Sequence, residues 1–390
     1  MFTIGLNGVQ TLAGLIGIGG REPIASMFNT FALPGIFDTG LGWGFLMASF
    51  GLSWKVVRLI KNRFAFALLD IPNERSSHKQ PTPRGGGLGF VIAFVMVSLA
   101  IGFFMVIGER DIALFNLNFP PIDLGVIWLL LLPLVVVGII DDRFSLASKW
   151  RYLVQVTVTI SAGVYFGAFP QPWLSDWLGS FFAPIVISII ATVLTIFTMT
   201  AIVNFYNFMD GLDGLVAGTT ALQLSFLAVY LDQPIWWFLV AAIGGFLVWN
   251  WSPAKVFMGD VGSTFLGACV AIALLQEPDV TLAWSSLAIV APLMGDAMYT
   301  VFSRLLRWEN ILLPHRSHIY QRLQQSGWSH PQVAITYMGF TVAIAGLIFT
   351  WGEMGAWLSF AATIGAIIVS ELYLHHANSK LIEPPQNLEG

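Results

Sequence analysis

The sequence predicts an all-α polytopic integral membrane protein of about eleven transmembrane helices, with its active-site loops on the cytoplasmic side. Three observations carry this reading. Of the 390 residues, 56% are hydrophobic and only 10% are charged, against roughly 25% charged in an average soluble domain, and the mean hydropathy is +0.75. The apolar residues come in runs that approach the roughly 20 residues a membrane-spanning helix needs. Every basic residue except Arg21 and Arg110 falls on one side of the alternation that those runs create.

Taken in order, residues 1–40 form an N-terminal extension. Its first half is apolar but broken by Asn7, Gln10 and several glycines, so it reads as interfacial or irregular. No Lys or Arg precedes Arg21, so the basic start of a signal peptide is missing. The domain proper covers 41–375. Its apolar runs predict spans over 41–60, 86–107, 121–140, 150–169, 183–203, 215–231, 235–251, 263–276, 282–306, 333–350 and 356–374. The eighth is short and reads as tilted or partly re-entrant. Residues 376–390 form a tail. By the positive-inside rule, the connections after odd-numbered spans and this tail are cytoplasmic. They hold Lys55, Arg58, Lys61, Arg63, Arg75, Lys79, Arg84, Arg143, Lys149, Arg151, Lys255, Arg304, Arg307, Arg316, Arg322 and Lys380. Cys269 is the sole cysteine and lies in an apolar run, which excludes an intrachain disulfide. No internal repeat is evident, and no nucleic-acid partner is expected.

Five aspartates recur in three short polar patches at the predicted cytoplasmic ends of spans: Asp141-Asp142, Asn204…Asn207…Asp210…Asp213, and Gly259-Asp260-Val-Gly262-Ser263. Acids at the end of a membrane span are costly unless they have a use. Gathered together they repel each other and call for a cation. Oxygen ligands beside glycine-bearing turns suit Mg²⁺ and a phosphorylated substrate. Asp141 and Asp142 close a helix at the end where the dipole disfavours anions, and as neighbours they point in different directions. The Asn204, Asn207, Asp210, Asp213 series repeats every three residues, and Gly211 and Gly214 predict a helix break that lets these side chains converge. Ser263 reads as an N-cap of the eighth span.

Two further segments carry positive charge. The first cytoplasmic connection holds Arg75, His78, Lys79 and Arg84 on a Pro/Gly scaffold ending in Gly85-Gly86-Gly87. Its glycine N–H groups are expected to face an anion at a helix N-terminus. The connection 307–332 carries His315, Arg316, His318, Tyr320, Gln321 and Arg322, which suit a nucleotide phosphate or a leaving group. Asp296 lies about 15 Å inside its span. An intramembrane acid is functional by default, though this one reads almost equally as a helix–helix hydrogen-bond partner. His330 reads as a surface residue.

Together these strings resemble the polyprenyl-phosphate N-acetylhexosamine-1-phosphate transferases over about residues 41–375. The resemblance rests on Asp70-x-Pro-Asn-x-Arg-Ser-x-His with Pro-Arg-Gly-Gly, the Asp141-Asp142 pair, Asn204…Asp213, and Gly259-Asp260-x-Gly-Ser. It implies an all-helical enzyme that depends on Mg²⁺, with Mn²⁺ as an alternative, and that is often a homodimer. Such an enzyme moves N-acetylhexosamine-1-phosphate from a UDP-sugar to undecaprenyl phosphate at the bacterial inner membrane and releases UMP. It also implies Asp260 as metal ligand, Asp141 and Asp142 as the essential pair, and Asp210 and Asp213 in the nucleotide and metal region. Arg75, His78, Arg84, Asn204, Asn207, His315, Arg316, His318 and Asp296 are then candidates for substrate binding. The chain departs from the pattern at Tyr320 and Gln321, where further histidines are expected. That departure argues against the muramoyl-pentapeptide substrate and for the branch that starts O-antigen or other surface polysaccharides. A cation-coupled transporter is the alternative of a different class. It would spread its acids along a path through the membrane and show repeat symmetry.

Overall fold

The computed structural model describes residues 40–64, 69–70, 81–107, 121–310, 313 and 315–382. The expectations for residues 1–39, for Arg75 and His78, and for the end of the tail lie outside the described residues.

Helices α1 (Gly40–Leu59), α2 (Gly87–Ile107), α3 (Pro121–Phe144) and α4 (Ser148–Phe166) match the first four expected spans. The short α5 (Pro172–Leu178) precedes α6 (Pro184–Met209). The break expected at Gly211 and Gly214 separates α6 from α7 (Leu215–Tyr230); α8 (Trp236–Asn250) and α9 (Asp260–Leu275) follow. The ninth expected span is two helices, α10 (Val280–Leu287) and α11 (Ala291–Leu306), joined by a 3-10 turn at Ala288–Val290. After the seven-residue α12 (Ile319–Gln325), α13 runs over His330–Ile382. Gly352, at φ 54° and ψ −126°, interrupts it. A Cβ at Gly355 would strike the Leu347 carbonyl oxygen, so the chain turns back on itself there and the two expected last spans are its two arms.

Five helical stretches among the described residues are long and apolar enough to cross a membrane: Gly87–Phe104, Asp123–Phe144, Pro184–Met209, Val280–Leu306 and His330–Ala377. Helices α7, α8 and α9 are shorter and apolar on all sides. Such helices belong inside a bundle. In α9 every residue from Val261 to Leu275 is buried, against α6, α3, α2 and α7. The bundle thus places the start of α9, and Asp260 with it, among the ends of four other helices. The only β-structure among the described residues is a two-stranded antiparallel ladder, β1 (Leu69–Asp70) against β2 (Thr82–Pro83), just before α2.

Candidate active site

The site begins with a joint between α3 and α9. Gly259 takes φ +78°, and a Cβ there would fall 2.5 Å from the Asp142 carboxylate. Glycine is therefore required twice, for its backbone angle and for the approach of Asp142. Through that gap Asp142 accepts hydrogen bonds from the N–H groups of Asp260 at 2.8 Å and Val261 at 3.3 Å. A carboxylate from another helix thus satisfies the free N–H groups at the positive end of α9. Ser263 is not the N-cap. Gly259 precedes the first helical residue, and Ser263 lies in the first turn, where its hydroxyl accepts from Asn207 Nδ2 at 2.9 Å.

Asp141 faces the other way, as adjacent positions require. It accepts from the Leu146 N–H at 2.6 Å and from Arg151 at 2.8 Å. The same guanidinium nitrogen of Arg151 reaches Asp260 at 2.5 Å. Arg151, in the first turn of α4, therefore bridges acids from α3 and α9. Nothing in the sequence singles it out, because a basic residue at a cytoplasmic helix end satisfies the positive-inside rule without further cause.

Asp210 closes α6. Burial first, and then the nearby Asp260 charge, push its carboxyl up to about 8; Arg84 opposes this, while Asp142 and Asp213 add to it. Four of the five acids thus act on one another around Asp210. Burial alone would also raise Asp213. Its contacts with His330 and with the Ala254 N–H outweigh that and hold it below the usual carboxylate value. Asp213 accepts from Ala254 N at 3.0 Å, and His330 Nδ1 stands 3.2 Å from it. His330 is accordingly not a surface residue, and nothing in its local sequence marks it. Asn204 turns away from the acids: its amide nitrogen donates to Gln155 Oε1 at 2.7 Å and to the Thr200 carbonyl at 2.9 Å.

Two of the three glycines at the start of α2, Gly86 and Gly87, do not offer their N–H groups to an anion. Gly86 and Gly87 donate to the carbonyls of Phe257 and Met258, each at 2.9 Å, and Phe257 N donates to the Pro83 carbonyl at 2.8 Å. The run is a clamp that docks the first connection onto the Asp260 loop. A Cβ on Gly87 would strike Gly262, so the backbones meet directly. Arg84, beside this clamp, pairs with Asp70 at 3.0 Å and stays largely exposed.

Asp296, His315 and His318 lie in a second cluster. Asp296 accepts from the N–H groups of Ile319 at 2.9 Å and Tyr320 at 3.0 Å, from the Tyr337 hydroxyl at 2.7 Å and from Thr300 at 3.2 Å, with His318 Nδ1 at 3.4 Å. Both oxygens are taken, so this acid suspends the 315–325 segment from α11. His315, His318 and Tyr320 stack in series, with ring centroids 4.9 and 5.7 Å apart. Burial, first among the causes, holds His315 down at about 4, so it is neutral at pH 7. The Tyr320 hydroxyl donates to the Phe208 carbonyl at 3.0 Å and touches Gly211, which joins this segment to the acid-bearing turn. Replacing Asp296 with Ala would leave several buried donors unpaired, at about 1–3 kcal/mol each. A clear fall in the thermal unfolding temperature of the purified protein is expected, with Asp296→Asn intermediate. An unchanged unfolding temperature would contradict the suspending role.

Residues 124–277 match the sequence profile of glycosyl transferase family 4. A Bacillus subtilis (strain 168) protein named as a probable undecaprenyl-phosphate N-acetylglucosaminyl 1-phosphate transferase is 30% identical over 337 residues, which cover 81% of this chain and 87% of the relative. The chain belongs to glycosyl transferase family 4. Its similarity extends to the undecaprenyl-phosphate alpha-N-acetylglucosaminyl 1-phosphate transferase of Pasteurella multocida (strain Pm70), 32% identical over 76% of this chain and 83% of that protein. A phospho-N-acetylmuramoyl-pentapeptide-transferase of Halalkalibacterium halodurans is 30% identical over 66% of this chain and 80% of its own length. As a family 4 member the chain is a glycosyl-1-phosphate transferase, and the family is divalent-metal dependent in general.

Among the described residues no three His, Cys, Asp or Glu side chains close on one point. A small hard cation does not need that, since it is commonly held by one or two carboxylates, water and substrate phosphates. The donors here are all oxygens, and the Asp260 charge adds to burial in lifting Asp210. Both features fit the family's divalent ion.

Proposed function

We propose that this protein transfers N-acetylhexosamine-1-phosphate from a UDP-sugar to undecaprenyl phosphate, releasing UMP, at the cytoplasmic face of a bacterial inner membrane that it crosses about eleven times. The observation that supports this most is that acids from α3 and α9 meet at Arg151, while Asp210 at the end of α6 feels the charges of Asp260 and Asp142. A transporter would string such acids along its interior. The relatives' names supply the acceptor and make UDP-N-acetylglucosamine the first donor to test. Tyr320 and Gln321 favour a surface-polysaccharide substrate over the muramoyl-pentapeptide.

In this reading an oxygen of the lipid phosphate attacks the phosphorus next to the sugar. The bond from that phosphorus to the bridging oxygen breaks, and UMP leaves with the oxygen and its electron pair. Mg²⁺ held by Asp260, in the region that Asp210 and Asp213 line, would neutralise charge on the diphosphate. Arg84 and Arg316, with Arg75 and His78, supply positive charge for phosphates. A phosphate monoester has a second pKa near 6, so at neutral pH it is mostly a dianion and needs no base. Asp141, with both oxygens already bonded, orients rather than deprotonates. The decisive assay combines purified protein, undecaprenyl phosphate, Mg²⁺ and a panel of UDP-sugars, with UMP release as readout; no release with any donor would end the proposal.

Direct attack requires both substrates together. Protein given UDP-sugar and Mg²⁺ without lipid is expected to give no UMP burst and to hold no phosphosugar; a burst equal to the enzyme concentration would establish a covalent intermediate instead. The topology has its own test. In a Cys269→Ser background, single cysteines at positions 75, 143, 255 and 316 are expected to react only with cytoplasmic reagent. Labelling of any one from outside would break the eleven-span arrangement.

A further inference from the structure

A separate cluster of charge lies where the ends of α1 and α8 meet. The indoles of Trp54 and Trp249 pack with centroids 5.8 Å apart. Lys61 Nζ stands 5.1 Å from the Trp249 centroid, and Lys255 Nζ stands 5.8 Å from the same ring. The Arg58 guanidinium is 5.5 Å from the Trp54 centroid. Arg143 over Phe144 and Lys149 over Trp150 are one-to-one contacts. At Trp249 two cations from distant parts of the chain share one ring. Among the described residues no carboxylate forms an ion pair with Arg58, Lys61 or Lys255. Arg58 and Lys255 are exposed and Lys61 is half-buried, so all three are open to a ligand.

Three like charges held around two rings repel one another. The ring faces offset part of that cost, and an anion lying between the cations would offset more. Indoles at the end of membrane helices sit at headgroup depth, where basic side chains draw anionic lipid. We propose that Arg58, Lys61 and Lys255, with Trp54 and Trp249, form a binding site for the phosphate headgroup of an anionic phospholipid that is not the lipid substrate. The proposal rests on α1 and α8 ending at the membrane interface and not on the transfer reaction.

The test uses full-length protein in phosphatidylcholine containing phosphatidylglycerol, with retained lipid counted by native mass spectrometry. The wild type is expected to retain phosphatidylglycerol selectively. Lys61→Gln should weaken that selectivity about fivefold, the share of one cation near a charged surface. Arg58→Gln/Lys61→Gln/Lys255→Gln should abolish it. The charge-matched Arg143→Gln/Lys149→Gln/Arg307→Gln should keep it, and inorganic phosphate should not compete. Selectivity that survives the first triple change, or falls equally in the second, overturns the proposal. So does displacement of phosphatidylglycerol by inorganic phosphate, or by undecaprenyl phosphate, which would make the patch part of the substrate's own path.

Discussion

Asp260→Asn is expected to cut UMP release at least about a hundredfold, a loss typical of removing one strong electrostatic element from a reaction centre. Three features make this position sensitive. A neutral amide is a poor substitute for an anionic oxygen on a hard cation. The substitution also removes the acid that Arg151 holds at 2.5 Å. It leaves the backbone N–H bonded to Asp142, so the start of α9 should stay in place and the loss should not come from misfolding. Measured turnover across a Mg²⁺ titration, with an unfolding curve beside it, separates these possibilities. Near-normal release at saturating Mg²⁺ would remove Asp260 from the metal site.

Arg151→Gln should produce the second large effect. The guanidinium is the sole cation in the structure that contacts Asp141 and Asp260 together, among the described residues. Its removal leaves Asp141, whose side chain is 7% exposed, facing Asp260 without a counterion. Breaking a fully buried ion pair costs about 3–5 kcal/mol. Arg151 is itself 31% exposed, so solvent screening should reduce that cost here. Turnover is expected to fall about a hundredfold or more, with a lowered unfolding temperature that added Mg²⁺ partly restores. Arg151→Lys keeps the charge but not the planar fork, and it should fall between the two. Full activity in Arg151→Gln would reduce the bridge to a surface contact.

The helical frame was legible because its signal is local. A run of apolar residues is a span wherever it occurs, and each expected run has a helical counterpart within a few residues. At the acid-bearing ends, α6 runs six residues past its expected end to Met209, α3 runs four past to Phe144, and α9 starts three early, at Asp260 and not at Ser263. Ser263 has the residue type of a cap, but the capping carboxylate comes from Asp142, more than a hundred positions away, and no window of sequence contains both. The acid patches were legible for a different reason. Carboxylates at the ends of membrane helices break the positive-inside pattern and stand out, whereas Arg151 obeys the pattern and is hidden by it. The glycine run misled because the Gly86 and Gly87 N–H groups, which read as free, pair with Phe257 and Met258 in a loop far along the chain that no local pattern announces. His330 and Gln155 were missed likewise: each acquires a role only from a neighbour that folding supplies.

The 315–325 segment is suspended from Asp296 at one end and meets the acid-bearing turn through Tyr320 at Phe208 and Gly211. The Asp142 joint and the Arg151 bridge lie on other helices altogether. Among the described residues no hydrogen bond joins this segment to Asp141, Asp142, Arg151 or Asp260, and Tyr320 ties it to the turn that carries Asp210. Side chains on the outer surface of that segment can change in size and polarity while the spacing of the acids stays as it is. Under the proposed function, substitutions on that outer surface are expected to change donor preference before they disturb the Arg151 bridge.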